Sequence, residues 1–327
     1  MENTFRIIVI GGSSGAHAAL AKLLKDIPTG INAAFLVVLH GSFIPELNFA
    51  SALGKNIKLN VKEAVSSQTI EKGNVYLSLP NMHLNISDGK IVLSMGPREN
   101  LFRPSIDVLF RSAAVNFGNR CIGVLLSGRL SDGTAGLDAI KRCGGKSIVQ
   151  DPKNAEFPDM PTSALEAIEV DYCLPIDRIS LQIEKICTQP LTTKTQIPAS
   201  LRREAEIALK IQSQVATEDC LGEQVAFSCP GCGGPLWKMK DGKMNRYRCH
   251  VGHAFSREAM LAGQNEKVEE ALWIALRTLE EKRNLLMQMK KNYSGKKINK
   301  LTNYYEDKMS EVSKHIELLR SAMKIND

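Results

Sequence analysis

The stretch FRIIVIGGSSGA, residues 5–16, decides the fold because it joins a strand to a helix through a tight glycine turn. The apolar run from Ile7 to Ile10 is typical of a strand that is buried on both faces. The glycines and serines at 11–15 predict a sharp turn, and a helical pattern follows at once. Two chemistries use this order of elements: a cradle for a dinucleotide pyrophosphate, and an elbow that presents a serine nucleophile.

The alternation of strand and helix continues to about residue 187. Apolar runs predict strands at 5–11, 33–40, 74–79, 90–95, 121–128 and 146–151. Amphipathic stretches predict helices at 15–26, 45–54, 105–117, 133–143, 161–169 and 177–187. This alternation is typical of α/β proteins with a mostly parallel, doubly wound sheet and helices on both faces. The short spacing between 74–79 and 83–95 predicts an antiparallel edge or a hairpin near Pro80-Asn81.

Beyond this α/β domain at 1–187, the sequence predicts three smaller parts. They are a linker and helix at 188–224, a cysteine-bearing module at 225–256 and a helical hairpin at 257–327. Apolar stripes run along both helical patterns of the hairpin, which are separated by a break at Ser294-Gly295. The stripes predict that the two helices pack on each other; the alternative is homodimerisation or docking on another helical protein.

The composition excludes some classes of protein. The 327 residues carry 42 Lys+Arg and 35 Asp+Glu, and the net charge of +7 is spread along the chain. This excess is too small to indicate a nucleic-acid partner on charge alone. No secretion signal is visible at the start, and no apolar run approaches the ~20 residues of a membrane span. We therefore expect a cytoplasmic protein with no membrane insertion.

The second strand decides between the two meanings of the glycine turn. A dinucleotide fold needs an acidic residue at the end of that strand, where this chain has His40. An elbow needs small residues two positions either side of its serine, and Gly11 and Gly15 stand there around Ser13. The spacing therefore favours Ser13 as a nucleophile. The backbone N–H of Ser14, at the helix start, is available to an oxyanion.

A serine nucleophile needs a base and an orienting carboxylate. His40 ends its strand at the carboxyl edge of the sheet, where the catalytic groups of such folds gather. His17 and His83 are interpreted as structural histidines. Asp132 stands at a third strand-to-helix junction, where a plain N-cap role is the alternative. The predicted triad therefore runs from Ser13 through His40 to Asp132.

Residues 1–187 resemble the catalytic domain of the chemotaxis protein-glutamate methylesterase family (CheB). The motifs that carry the resemblance are IGGSSGA (10–16), the strand that ends in His40, NVYLSLPNMHL (74–84), RPSIDVLFRSAA (103–114), GVLLSGRLSDGTAGLDAIKRCGG (123–145) and SIVQDP with FPDMPTSALE (147–166). The resemblance implies hydrolysis of γ-glutamyl methyl esters, and in many members deamidation of glutamines, on chemoreceptor signalling helices. It carries the catalytic roles onto Ser13, His40 and Asp132, and it implies no cofactor for catalysis.

The resemblance also implies that backbone N–H groups of Ser14, Gly128 and Arg129 hold the oxyanion. In the loop at 128–133, the family often has a glycine where this chain has Leu130. Leucine adopts a positive φ only at a cost in free energy. Because Ser13 lies near the start of the sequence, the resemblance is to a stand-alone form without the family's phosphoacceptor receiver domain.

The module at 225–256 contains a second strong motif. Cys229-Pro-Gly-Cys232 has the spacing of a zinc knuckle, and RYRCHVGHAF (246–255) adds a cysteine and two histidines. Zinc takes four thiolate or imidazole ligands, and this spacing supplies three thiolates and one imidazole. The predicted ligands of a structural zinc ribbon are Cys229, Cys232, Cys249 and His253. His250 is the alternative fourth ligand.

Two other functions fit the motifs less fully. In the first, the tail binds a partner and the α/β domain is a non-catalytic adaptor or scaffold. In the second, the chain is an esterase that acts on another methylated protein or on a small ester. Release of methanol from methylated chemoreceptor separates both from the activity that the resemblance implies.

Overall fold

The computed structural model describes residues 5–41, 49–191, 196–210, 222–240, 244–294 and 299–324. The chain divides into two compact units, 1–260 and 261–327, and each is described by itself. The finer division into four parts stays a prediction. Parts of the predicted helical stretches 45–54 and 201–216, and Gly295 at the predicted break, lie outside the described residues.

The first unit is built on a parallel sheet. Its strands are β1 (Arg6–Gly12), β2 (Ala33–Leu39), β3 (Asn60–Glu63), β4 (Asn74–Leu77), β7 (Cys121–Leu125), β8 (Lys146–Gln150) and β9 (Tyr172–Leu174). These seven strands pair in the order β3-β4-β2-β1-β7-β8-β9, and every pairing is parallel. The predicted doubly wound α/β class is confirmed. The two short edge strands, β3 and β9, were not predicted because neither has an apolar run.

Helices cover both faces of this sheet. They are α1 (Ala16–Lys25), α2 (Phe49–Gly54), α3 (Ile106–Phe117), α4 (Thr134–Arg142), α5 (Asp159–Ala167), α6 (Ile176–Thr188) and α7 (Ala199–Lys210). Successive side chains of β1 point to opposite faces. Ile7 and Val9 belong to the core under α3, α4 and α5, whereas Ile8 and Ile10 belong to the core under α1 and α6. All four are fully buried, which at ~1.5–3 kcal/mol each makes β1 the centre of the fold.

An antiparallel hairpin of β5 (His83–Ser87) and β6 (Lys90–Ser94) follows β4. Its turn is Asp88-Gly89, where both residues have positive φ, 50° and 72°. An Asp-Gly dipeptide with two positive φ angles is a favoured two-residue hairpin turn. The prediction of a hairpin at Pro80-Asn81 was therefore wrong, because β4 belongs to the parallel sheet and the hairpin begins after it.

The tail module is a four-stranded antiparallel sheet of β10 (Gly222–Ser228), β11 (Pro235–Met239), β12 (Arg246–Cys249) and β13 (Ala254–Ser256). Its small core includes Leu236, Phe255 and Met260. The module belongs to the first unit and pairs with a segment that precedes α3. The Asn100 N–H donates to the Ala254 carbonyl at 2.7 Å, so β13 is fastened directly to the α/β part.

Buried charged side chains fasten the same junction. Arg248 of β12 lies 2.9 Å from Glu99 and 3.1 Å from Glu204 of α7. Arg111 of α3 lies 2.7 Å from Glu99 and 3.1 Å from Glu204, and Arg246 also pairs with Glu204. Burial alone raises the pKa of Glu204, but the three guanidinium groups hold it well below its usual value. We name these five residues the buried charge cluster.

The second unit is a helical hairpin, as predicted. Its helices are α8 (Arg257–Ser294), which starts within the first unit, and α9 (Asn299–Lys324). Leu276, Val312 and Ile316 form the buried contact between them. An ion pair joins Lys290 to Glu306 at 2.5 Å. Among the described residues, no helix is long and apolar enough to span a membrane.

Candidate active site

Ser13 directly follows the end of β1, at the carboxyl edge of the sheet. Its N–H donates to the Ser127 carbonyl at 2.9 Å, and its carbonyl accepts from the Ala16 N–H at 3.0 Å. Gly15, which caps α1, has φ 75°, a conformation that suits glycine. The turn therefore fixes Ser13 between β1 and α1, and leaves the residue 8% exposed.

The loop after β7 closes over Ser13. A Cβ on Gly128 would lie 2.8 Å from the Ser13 Cβ, so only a glycine fits beside the serine. The Gly128 N–H donates to the Phe157 carbonyl at 3.0 Å, which corrects its prediction as an oxyanion donor. In the part of the chain that the structure describes, no acceptor is found for the N–H groups of Ser14 and Arg129. These two predicted donors remain available.

His40 lies beside the elbow because its own N–H donates to the Gly12 carbonyl at 2.9 Å. Its ring stacks on Phe102 with centroids 3.7 Å apart. The Nε2 atom lies 2.9 Å from Oδ2 of Asp132, and both side chains are almost fully buried. Both ring nitrogens are buried and neither meets the geometry of a hydrogen bond among the described residues, but Nε2 is the one that faces the carboxylate. One nitrogen thus contacts the carboxylate, and the other is left to exchange a proton.

Asp132 is completely buried and accepts hydrogen bonds from several sides. The donors are the Ser105 hydroxyl at 2.9 Å, the Ile106 N–H at 2.7 Å and the Asn100 Nδ2 at 2.8 Å. Ile106 begins α3, so Asp132 caps a helix that is distant in sequence. Its own helix, α4, is capped by Gly133. The alternative of a plain N-cap to the following helix is therefore excluded.

A second buried carboxylate adjoins Asp132. Asp107 accepts the N–H groups of Gly133 and Gly136 at 3.0 and 2.6 Å, and Asn100 Nδ2 at 2.8 Å. Burial, and then the negative charge of Asp132, raise the pKa of Asp107 to about 7. Burial also acts to raise the pKa of Asp132, but the hydrogen bond and charge of His40 lower it below the usual value. The negative charge is therefore held next to the imidazole.

A cleft of about 370 Å³ opens in front of His40, in the range typical of ligand sites. Phe102, Arg98 and Arg103 contribute to its walls, and His17 lies at its exposed margin. That His17 is a structural histidine stays a prediction. His83 is structural: it is buried, with Nε2 2.9 Å from the Pro97 carbonyl.

Sequence reasoning missed three residues of this site: Asn100, Phe102 and Asp107. Asp107 belongs to the motif RPSIDVLFRSAA, which indicated the family but gave the aspartate no role. Asn100 and Phe102 lie just before that motif, in a segment without regular periodicity. Their contacts with Asp132 and His40 are set by the fold, so no local spacing could have predicted them.

The predicted metal ligands Cys229, Cys232, Cys249 and His253 form one group, with ligand atoms all within 4.8 Å of one another. The sulfurs of Cys232 and Cys249 are 3.7 Å apart, and the latter lies 3.5 Å from Nδ1 of His253. Zinc bonds of 2.3 Å to sulfur and 2.0–2.1 Å to nitrogen in a tetrahedron give about 3.8 and 3.6 Å for these separations. The group therefore has the dimensions of a zinc site. It contains His253 and not His250.

The predicted nucleophile, its predicted base and a buried aspartate thus lie at one edge of a parallel α/β sheet, which is the arrangement expected of a serine hydrolase. The sequence model of the CheB methylesterase family matches residues 8–183. That match covers more than half of the chain, and the chain belongs to the CheB methylesterase family.

Known proteins are similar over about half of the chain. The crystal structure of the Thermotoga maritima CheB methylesterase catalytic domain is 29% identical with a TM-score of 0.54, covering 56% of this chain and 99% of that one. Protein-glutamate methylesterase/protein-glutamine glutaminase 2 of Anaeromyxobacter dehalogenans (strain 2CP-C) is 36% identical over 180 residues, 55% of this chain and 53% of its own. A relative from Leptospira interrogans (strain Fiocruz L1-130), provisionally named for the same two activities, is 40% identical over 177 residues, 54% of this chain and 92% of its own.

Proposed function

We propose that this protein hydrolyses γ-glutamyl methyl esters on the signalling helices of chemoreceptors through Ser13, His40 and Asp132. The observation that carries the proposal is the 2.9 Å contact between His40 Nε2 and the buried Asp132 carboxylate, next to the Ser13 turn. Family membership and the names of the relatives support the reaction. The open cleft beside His40 supports a protein side chain as the part of the substrate that enters the site.

In the first half of the reaction, Nδ1 of His40 takes the proton of Ser13 as Oγ attacks the ester carbonyl carbon. Asp132 stabilises the imidazolium that forms and holds the ring in place. The N–H groups of Ser14 and Arg129 bind the oxyanion, and one such donor is worth ~3 kcal/mol in the transition state. The intermediate collapses, His40 returns its proton to the methoxide oxygen, and methanol leaves. A glutamyl ester on Ser13 remains.

The second half reverses these roles with water. His40 takes a proton from water as the oxygen attacks the glutamyl ester, and then protonates Ser13 Oγ as the C–O bond breaks. The product is a glutamate side chain. A receptor glutamine follows the same course, except that ammonia leaves in place of methanol.

The test is methanol release from a methylated chemoreceptor incubated with the purified full chain. We expect release that follows added enzyme, and its loss in the Ser13→Ala variant. A matched control is Ser87→Ala, since Ser87 lies on β5 away from the site. No release by the native chain would overturn the proposed substrate, and release by Ser13→Ala would overturn the nucleophile.

We further propose that the Cys229, Cys232, Cys249 and His253 group holds one structural zinc ion. The sulfur–sulfur and sulfur–nitrogen separations support zinc, and four protein ligands leave no position for a substrate. Metal analysis of the purified chain is expected to give one zinc per chain, falling below one tenth in Cys249→Ser. An equal metal content in the two proteins would contradict this site.

A further inference from the structure

The metal-ligand group lies one residue away from β13. This strand contacts the carboxyl edge of the parallel sheet, where Ser13, His40 and Asp132 lie, which we name the catalytic edge. His253, the fourth member of the group, directly precedes β13. The Ala254 N–H donates to the Arg98 carbonyl at 3.4 Å, and the Asn100 N–H donates to the Ala254 carbonyl at 2.7 Å. The Ser256 N–H then donates to the side-chain Oδ1 of Asn100 at 2.8 Å. β13 therefore holds both the backbone and the carboxamide of Asn100.

The other end of that carboxamide reaches the predicted triad. Asn100 Nδ2 donates to Oδ1 of Asp132 and to Oδ2 of Asp107, both at 2.8 Å. Asn100 is 4% exposed, so water cannot readily replace these partners. Its φ of 51° lies in the left-handed region, which asparagine adopts more readily than most residues. The orientation of Asn100 thus depends on the Ser256 N–H on one side and two carboxylates on the other.

The same segment also supports the imidazole. Phe102, two residues after Asn100, stacks on His40 at 3.7 Å. Glu99, one residue before it, pairs with Arg248, which neighbours Cys249 in β12. Residues 98–102, which we name the bridging segment, therefore contact the tail module on one side and both His40 and Asp132 on the other.

A metal ion in the group would fix the turn that leads into β13. Cys249 and His253 flank this turn, and the Cys249 N–H donates to the His253 carbonyl at 2.9 Å. The module has a small apolar core, and domains of this kind depend on a metal for their folded state. Without the ion, the register of β13 against the bridging segment loses one of its constraints.

We propose that the Cys₃His metal site is a positioning element of the esterase, which holds Asn100 against Asp132 through β13 and so sets the rate of catalysis. Asn100 is a positioning residue in this scheme, since it contacts the aspartate and not the substrate. The inference rests on the proposed function in taking Ser13 as the nucleophile and in placing a metal ion in the Cys₃His group. It predicts that metal occupancy of the tail controls the reactivity of a serine in a different part of the chain.

The first experiment measures the rate at which a fluorophosphonate labels Ser13 in the purified full chain. The Ser13 Oγ bonds to phosphorus and fluoride leaves, so the rate reports activation of the serine without any receptor. We expect chelation of the metal to lower this rate at least tenfold, and added Zn²⁺ to restore it. Amide hydrogen exchange in the bridging segment should accelerate in the metal-free chain. A labelling rate within twofold of the metal-bound value would overturn the proposal.

The second experiment keeps the metal and breaks the link. Asn100→Gly adopts the positive φ of this position without strain and keeps the backbone pairing with β13, but removes the carboxamide and with it the donor to Asp132. We expect unchanged zinc content, a labelling rate at least tenfold lower, and a fall in kcat for ester hydrolysis with little change in KM. The matched control is Asn74→Gly. Asn74 is a buried asparagine at the start of β4, at the amino-terminal end of the strands, and its amide donates to two loop carbonyls. Equal labelling of Asn100→Gly and the native chain would overturn the role of Asn100.

The result also separates this inference from the proposed substrate. Metal-dependent labelling of Ser13 without methanol release from receptor would overturn the substrate and support the inference. Methanol release that does not change on metal removal would do the opposite. Absence of labelling at Ser13 in the metal-bound native chain would overturn both.

Discussion

The catalytic edge and the junction with the tail module bring together residues that are far apart in sequence, but they are held by different forces. At the catalytic edge, Ser13 and His40 follow two strands that pair in register from Arg6–Ala33 to Gly12–Leu39. Their positions are therefore fixed by a backbone ladder and by the apolar cores on both faces. At the junction, the tail sheet has a small core, and the buried charge cluster makes much of the contact.

The two regions differ in how they tolerate a change in charge. A backbone ladder does not depend on side-chain charge, so a substitution at the catalytic edge should alter the chemistry more than the fold. Buried ion pairs have the opposite property, since removal of one partner leaves the other desolvated and unpaired.

The largest effect is expected from Asp132→Asn at the catalytic edge. The amide cannot stabilise the imidazolium of His40, and a change of this kind in a triad lowers kcat by about 10⁴-fold. Methanol release and fluorophosphonate labelling both measure it. The matched control is Asp171→Asn. Asp171 precedes β9, at the amino-terminal end of the strands and away from the predicted triad, and it accepts hydrogen bonds from Ser147 and Lys146. If Asp132→Asn kept more than a tenth of the native kcat, Asp132 would not be a member of a triad.

Much of the catalytic edge could be predicted from the sequence because it follows local rules. A strand, a glycine turn and a helix placed Ser13, and the parallel class placed the ends of β1, β2 and β7 at one edge. The glycine at 15 was predictable from the left-handed conformation that such a turn requires.

The junction could not be predicted in this way. Glu99, Glu204 and Arg248 are charged residues, which are rarely buried without a partner. Their residue type therefore predicts that they are exposed. Their partners lie up to 149 residues away, as for Arg248 and Glu99. Leu101, within the bridging segment, has a positive φ that no sequence rule assigns to leucine. Each of these features depends on tertiary contacts, so the link between the tail and Asp132 was not foreseen.

The next largest effect is expected at the junction, from Glu99→Gln. The cluster holds three arginines and two glutamates, so loss of Glu99 leaves buried guanidinium groups short of a counter-charge. We expect the free energy of unfolding to fall by about 3–5 kcal/mol. Urea unfolding is followed by the fluorescence of Trp237, which is buried in β11, in a chain carrying Trp273→Phe.

The control for this substitution is an exposed ion pair within the tail sheet. Glu223 of β10 pairs with Lys240 at 3.8 Å, and both side chains are more than half exposed. Pairs of this kind contribute about 0–1 kcal/mol, so Glu223→Gln should leave unfolding almost unchanged. Equal effects of the two substitutions would show that the buried charge cluster does not hold the tail, and would remove the contrast between junction and catalytic edge.

A smaller, pH-dependent effect on stability is expected from Asp107. This residue contacts Asn100 of the bridging segment and Gly133, which follows Asp132. Its pKa is raised to about 7 by burial and by Asp132, against the lowering effects of Arg246 and Arg111. The folded state thus favours the protonated form, and an unfolded aspartic acid titrates near 4. Stability from this group is therefore fully present below pH ~4 and is lost as the pH rises to about 7, by at most ~1.4 kcal/mol per pH unit.

The measurement is the free energy of unfolding from pH 4 to 8 in the native chain and in Asp107→Asn. The buried His83 has a lowered pKa and gives the opposite slope below pH ~6.5, so the difference between the two proteins is the readout. We expect the native chain to lose stability relative to the variant as the pH rises. Parallel curves would mean that Asp107 stays ionised throughout.

The smallest effect concerns Leu130, on the loop that carries the predicted oxyanion donors. Leu130 has φ 65°, the left-handed conformation that the glycine found there in the family would adopt without strain. Leu130→Gly should therefore be more stable than Leu130→Ala by about 1 kcal/mol, since both lose the side chain and only glycine relieves the strain. At Leu181, a 44% exposed position within α6, the order should reverse by about the same amount, because glycine is the poorer helix former. Urea unfolding of the four variants measures both differences. If alanine were the more stabilising substitution at Leu130, as is expected at Leu181, the loop would carry no backbone strain at this position.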